Sequence, residues 1–246
     1  MNAFVTGGSR GIGRAIVLRM AEGGAGCAFT YAGNEQAAEE TVRLAREIAP
    51  ESDVRPYRMD VKNPDEVETT AETAIDDFGT IDAVVNNAGI VRNNAAALMS
   101  DEEWREVIDT NLNGPFYVIR SFLMHFLANH GGRCINISSL AQDGASGQIN
   151  YAASKAGLIG MTRTLAREYG AKGITTNIVT VGLVETDMVK DSMADQLRET
   201  WLSYCPMKRL GTAEEIASAV WYLIQPEAGF INGEILRVSG GLTYVP

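Results

Sequence analysis

The apolar run Ala3-Phe4-Val5 gives way at once to Thr6-Gly7-Gly8-Ser9-Arg10-Gly11-Ile12-Gly13, and then to Arg14-Ala15-Ile16-Val17-Leu18. This order reads as strand, tight turn, helix. It constrains the chain severely. A strand feeding straight into a helix opens a βα unit, and glycines let the connecting backbone come close to an anion where a β-carbon would hold it off. The amino-terminus of the helix adds about half a positive charge beside the same turn. With glycines at 7, 11 and 13 the spacing is GxxxGxG, and a dinucleotide pyrophosphate is the expected occupant; a turn that is only architectural is the other reading of this motif taken alone.

The rest of the chain repeats the pattern. Short apolar runs at residues 3–6, 27–31, 54–59, 81–86, 133–138, 175–181 and 235–238 alternate with amphipathic stretches at 11–23, 36–49, 64–78, 101–129, 151–170 and 213–224. Seven strands joined by helical crossovers, several of them apolar throughout, predict an α/β fold: a Rossmann-type doubly wound parallel sheet with helices on both faces. At 246 residues, 46% of them hydrophobic, the chain fits one such domain over 1–246. Ligands in such sheets bind beyond the carboxyl ends of the strands. Residues 183–210 interrupt the alternation with Met, Leu, Trp and Tyr, and are expected to form a lid over the substrate.

The bulk properties exclude several classes. A net charge of -10 argues against nucleic acid or an anionic membrane as partner. No apolar run approaches the roughly 20 residues that span a bilayer, and Met1 leads quickly into the first strand, so a cytoplasmic protein without a leader is expected. Cys27, Cys134 and Cys205 are odd in number and far apart, which suits small buried fillers rather than disulfides. His125 and His130 are too few for a metal site, and none is expected.

Asn86-Asn87-Ala88-Gly89 ends the fourth apolar run, where small residues admit a ligand and the asparagines can tie strand ends together. Tyr151 and Lys155 share one helix face at i, i+4 spacing. A phenol near pKa 10 is a poor acid at neutral pH, but a cation about 5 Å away contributes roughly 3 kcal/mol, or about two pKa units. Ser138 lies 13 residues before Tyr151 at a strand end, and strand alternation turns its neighbour Ser139 away. Asn111 is a polar residue inside a helical pattern, which is costly unless it serves something.

Together these motifs, with Asp60-Val61, resemble the short-chain dehydrogenase/reductase family over essentially the whole chain. Within that family, Asn150-Tyr151-Ala152-Ala153-Ser154-Lys155-Ala156-Gly157, Val184-Glu185-Thr186-Asp187-Met188, Met207-Lys208-Arg209-Leu210-Gly211 and Ser239-Gly240-Gly241 resemble the 3-oxoacyl-(acyl-carrier-protein) reductases. The resemblance implies an NADPH-dependent reduction of a 3-oxoacyl thioester, linked to carrier protein or CoA, in fatty acid or polyketide biosynthesis. Tyr151 would give the proton, Ser138 would bind the developing alkoxide, Lys155 would hold the ribose and lower the Tyr151 pKa, and Asn111 would position a water. It also implies cofactor contacts from Gly7, Gly8, Ser9, Arg10, Gly11, Ile12, Gly13, Asp60, Val61, Asn87, Ala88, Gly89, Tyr151, Lys155, Val184 and Thr186, and a homotetramer. Reduction of a small free ketone, and an NADP-binding sensor without activity, are the alternatives.

NADP(H) is expected rather than NAD, because Ala32, Gly33 and Asn34 follow the second strand with no carboxylate before Glu35, while Arg10 can meet a 2′-phosphate. Two departures stand out. Val181-Gly182 replaces the family's Pro-Gly, which loosens the backbone entering the lid. Basic residues for an acidic carrier are sparse, with Lys172 and Arg133 as candidates and Asn129 and His130 where more charge would be expected.

Overall fold

Seven strands run β1 (Asn2–Val5), β2 (Gly26–Tyr31), β3 (Val54–Arg58), β4 (Ala83–Asn86), β5 (Gly132–Ser139), β6 (Ile174–Val181) and β7 (Ile235–Val238) in the computed structural model, which describes residues 1–185 and 195–245. They form one sheet in the order β3-β2-β1-β4-β5-β6-β7. Every adjacent pair is parallel. The order reverses between β1 and β4, so their carboxyl ends open a crevice, and the glycine turn and the Asn86 loop both leave the sheet there. The seven expected strands are all present, each with bounds within two residues of those read from the sequence.

The crossovers are α1 (Gly11–Glu22), α2 (Glu35–Ile48), α3 (Pro64–Phe78), α4 (Asp101–Ile108), α5 (Gly114–Ala128) and α6 (Ile149–Tyr169), followed by α7 (Asp195–Tyr204) and α8 (Ala213–Ile224). Local chemistry fixes their starts. Asn34 and Asn63 cap α2 and α3 through their side chains, and Ser100/Glu103 and Thr212/Glu215 form reciprocal capping boxes on α4 and α8. The helix α1 has no such cap: Arg10 stands at that position with no side-chain bond, and no acidic residue occupies the first turn.

Two cores flank the sheet. Phe29, Ile16, Met20, Ile135, Val179, Val220 and Leu223 fill the face under α1, α2 and α8. Phe4, Val84, Phe122, Phe126, Ile119 and Cys134 fill the face under α3, α5 and α6. Strands buried on both faces explain why the sequence reads as apolar runs without alternation. The stretch expected as one helix over 101–129 is two helices joined by a π-helical turn, Asp109–Asn113. No helix among the described residues is long and apolar enough to cross a membrane.

Of the expected lid, Val184 forms a parallel bridge with Gly211, and Trp201 of α7 and Cys205 just after it pack against Leu140 and Leu242. Thr186, Met188 and Met193 lie outside the described residues.

Candidate active site

The glycine turn is shaped for close approach. Gly7 and Gly11 have φ of +68° and +54°, in the left-handed region that glycine enters without penalty. A β-carbon on Gly13 would sit 2.0 Å from the Gly7 carbonyl oxygen, so only glycine lets α1 start so near the turn. Side chains that the sequence reading passed over hold this geometry. The Thr6 hydroxyl accepts the Asn87 and Ala88 N–H groups at 3.1 and 3.0 Å, and Asn87 Nδ2 donates back to the Thr6 and Gly7 carbonyls. Arg14 donates to the Ser9 carbonyl, the Ala37 carbonyl and the Thr41 hydroxyl, strapping the turn to α2. The alternating basic and small residues of 6–14 carry no period that would have marked Thr6 or Arg14.

These features fit a dinucleotide pyrophosphate: a concave backbone, an uncapped helix amino-terminus and no acid in the first turn of α1. Arg10 is exposed and makes no ion pair among the described residues, with Glu35 or with any other carboxylate. Asp60 and Val61 follow β3 on the same edge of the sheet, with Asp60 accepting the Lys62 N–H at 3.0 Å. Asn86 Nδ2 donates to Asn136 Oδ1 at 2.9 Å, which ties β4 to β5 as the Asn-rich motif suggested.

At the other side of the crevice, α6 carries Tyr151 and Lys155. Lys155 is 5% exposed, and its Nζ lies 5.6 Å from the centre of the Tyr151 ring. It also approaches within 3.7 Å the place a Gly89 β-carbon would take, so the loop after β4 and the catalytic helix meet here. Burial depresses the Lys155 pKa to about 8. Burial also raises the Tyr151 pKa, and the force opposing it is a hydrogen bond from the Ser139 hydroxyl.

Two expectations change on that geometry. The first concerns Ser138, which is buried at the edge of β5 with its Oγ donating to Gln142 Oε1 at 2.7 Å and lying 3.4 Å from the Lys155 carbonyl oxygen. The hydroxyl beside the phenol belongs to Ser139. Alternation does send the two serines to opposite faces, but Ser138 points under α6 into the packed layer. Ser139, the last strand residue, caps a 3₁₀ turn (Leu140–Asp143), accepting the Ala141 N–H at 3.2 Å, and its hydroxyl meets the Tyr151 phenol. The polar turn after the strand was the missed signal. The second concerns Lys155, whose ammonium donates to the Ile137 carbonyl at 2.8 Å, so its charge is shared with backbone and burial dominates at the phenol.

Asn111 is fully buried in the π-helical turn. Its Oδ1 accepts the Ile90 N–H at 2.9 Å, and its Nδ2 donates to the Ile90 carbonyl at 2.9 Å and to Ser154 Oγ at 3.3 Å. Its amide clamps the loop after β4 to α6. Arg133 is likewise engaged: it donates to the Gly132 and Gly173 carbonyls and does not project as a docking charge. His125 accepts the Ile81 N–H on Nε2 at 3.1 Å, a structural role. No cluster of three metal-ligating side chains occurs among the described residues.

The chain matches, over residues 7–243, the family model described as Enoyl-(Acyl carrier protein) reductase. It is 40% identical over 242 residues to the 3-oxoacyl-(acyl-carrier-protein) reductase FabG of Staphylococcus aureus (strain Mu50), covering 98% of this chain and 97% of that protein. Among solved structures it is similar to levodione reductase, with TM-score 0.94 and 31% identity over 98% of this chain and 96% of the other. A variant of a Serratia marcescens short-chain dehydrogenase/reductase aligns with TM-score 0.91 and 35% identity, covering 98% and 97% of the two chains.

Proposed function

This chain belongs to the short-chain dehydrogenase/reductase family, and from that premise we propose that it reduces a 3-oxoacyl thioester to the 3-hydroxyacyl product with NADPH. The observation that carries the reading is the meeting of the Tyr151 phenol, the Ser139 hydroxyl and the Lys155 ammonium at the carboxyl ends of β4 and β5, across one crevice from a glycine turn built for a pyrophosphate. Near-full-length likeness to the staphylococcal carrier-protein reductase supports the substrate class.

When bound, the nicotinamide supplies the hydride that converts the ketone carbon to an alkoxide carbon. Tyr151 donates the phenolic proton to the developing alkoxide oxygen, which is how the product leaves as a neutral alcohol. Ser139 donates its one hydroxyl hydrogen to that same oxygen, and a preorganised donor of this kind is worth about 3–4 kcal/mol in the transition state. Lys155 Nζ, between the Ile137 carbonyl and Gly89, would hold the ribose hydroxyls of the bound cofactor and lend the phenolate what charge the Ile137 carbonyl leaves it. Arg10, exposed at the start of α1, and the absence of an acid at residues 32–34 favour a 2′-phosphate over a 2′-hydroxyl.

Gly7–Gly13, Asp60, Val61, Asn87, Ala88, Gly89 and Val184 are the cofactor contacts in this reading; Thr186 belongs to the same proposal from sequence alone. Its acyl thioester comes from carrier protein or CoA, and its assembly is a homotetramer.

The test is NADPH oxidation followed optically with acetoacetyl thioesters of CoA and of carrier protein, with simple ketones, and with NADH in place of NADPH. The expected result is turnover of the thioesters with NADPH well above NADH. Turnover confined to simple ketones would replace the substrate class, and turnover of nothing would leave an NADP-binding protein without this activity.

A further inference from the structure

The 3₁₀ turn that carries Ser139 is braced by a residue the chemistry above does not use. Gln142 is 7% exposed, and its Oε1 accepts two hydroxyls, Ser138 Oγ at 2.7 Å and Thr180 Oγ1 at 3.1 Å. Ser138 and Thr180 are register partners at the carboxyl ends of β5 and β6. Gln142 Nε2 has no partner and is sealed from solvent. A buried amide with its donors unmatched is less stable than an apolar side chain of the same shape. Packing therefore gives no reason for glutamine over methionine at this position.

The other anchors of the turn are weaker or apolar. Leu140 packs on Cys205 and Leu242, and Asp143 pairs with Arg237 at 3.0 Å where both side chains are about two-fifths exposed. Among the described residues, Gln142 supplies the buried side-chain hydrogen bonds that join the turn to the sheet. The same carbonyl draws the Ser138 hydroxyl to itself, leaving Ser139 as the hydroxyl in the cleft.

We propose that Gln142 is a positioning residue for the reduction: by tying the turn to the ends of β5 and β6, it holds the Ser139 hydroxyl against the Tyr151 phenol. This inference rests on the assignment of Tyr151 and Ser139 under the proposed function. Its orphaned Nε2 is the stability cost of a geometry kept for activity, a trade found where strained or unsatisfied groups persist at working sites.

The experiment is a double-variant cycle on the full chain, with NADPH and an acetoacetyl thioester. In Gln142→Met, kcat should fall between about tenfold and a hundredfold through misplacement of Ser139, with the KM for NADPH and the thermal midpoint held or the midpoint raised. In a Ser139→Ala background the same change should cost less than about twofold more, since the group it positions is gone. The pair Ser138→Ala with Thr180→Val, which removes both donors and leaves Gln142 in place, should reproduce part of the loss and serves if the methionine variant does not fold. Full kcat in Gln142→Met, or losses that multiply in the Ser139→Ala background, overturn the proposal. Wild type inactive on thioesters but active on a free ketone would sink the substrate reading alone, and the cycle is then run on that ketone. Wild type inactive on every ketone removes both.

Discussion

At the β1–α1 turn the surface offered to a ligand is backbone: left-handed glycines, uncapped N–H groups and a carbonyl 2.0 Å from where a Gly13 β-carbon would lie. Across the same crevice, at the β5–α6 edge, the working groups are side chains delivered by two separate segments, Ser139 from a strand end and Tyr151 and Lys155 from a helix, with Asn111 of the π-helical turn clamping the loop beside them. The first region tolerates almost no change of residue type because steric fit is absolute over tenths of an ångström. In the second, the fold can survive a substitution while the geometry of the reaction does not. A cradle is therefore written into local sequence, whereas a catalytic cluster is assembled by packing.

That contrast can be broken most severely at its extremes. Gly13→Ala should abolish NADPH binding and destabilise the protein by about 1–3 kcal/mol, because the new methyl meets the Gly7 carbonyl and Asn87 Nδ2; fluorescence titration and thermal melting read both effects. Tyr151→Phe is its opposite: turnover should fall roughly a thousandfold with NADPH affinity and thermal midpoint nearly unchanged. Equal loss of binding in the two variants would erase the distinction between cradle and cluster.

The serine pair sharpens the catalytic half. Ser139→Ala should lower kcat by about a hundredfold, as expected for a lost oxyanion donor, while Ser138→Ala should cost less than about tenfold and act through Gln142. The reverse order would restore the assignment read from strand alternation. On the cradle side, Arg10→Ala should weaken NADPH by about tenfold to a hundredfold, the range of a charge-assisted contact, and leave NADH untouched; isothermal titration with both cofactors separates these outcomes.

The smallest effect concerns stability. The folded-state pKa of Lys155 is depressed to about 8 by burial, below its ordinary value. Below pH 8 the residue is protonated both folded and unfolded, and the folded state bears the desolvation penalty. As pH rises through 8 the folded state releases the proton while the unfolded chain keeps it, so stability rises with pH until the unfolded chain titrates as well. Lys155→Met should therefore melt above wild type at pH 7, by at most about 3 kcal/mol, with the gap closing by pH 10. A gap independent of pH would show that burial does not depress the Lys155 pKa in the folded protein.

Much of the architecture was legible in the chain because a parallel sheet buried on both faces turns each strand into a short apolar run, while the crossover helices keep an amphipathic period. The break within 101–129 was not legible. Whether a helix widens by one residue depends on what presses against it, and here Asn111 reaches across to Ile90 and Ser154. Arg133 illustrates the same limit, since a basic residue in sequence is a candidate docking charge until its guanidinium is seen folded onto two carbonyls.

What sequence alone determined was the order of strands and helices, the glycine turn and the identity of the helix bearing Tyr151 and Lys155. Each of these follows from steric and periodic rules acting over a few neighbouring residues. Only tertiary structure decided which of two adjacent serines meets the phenol, where the Lys155 charge is directed and what holds the Ser139 turn. Those outcomes depend on distances between segments far apart in the chain, and one residue's difference at a strand end moves a hydroxyl from a packed layer into an open cleft.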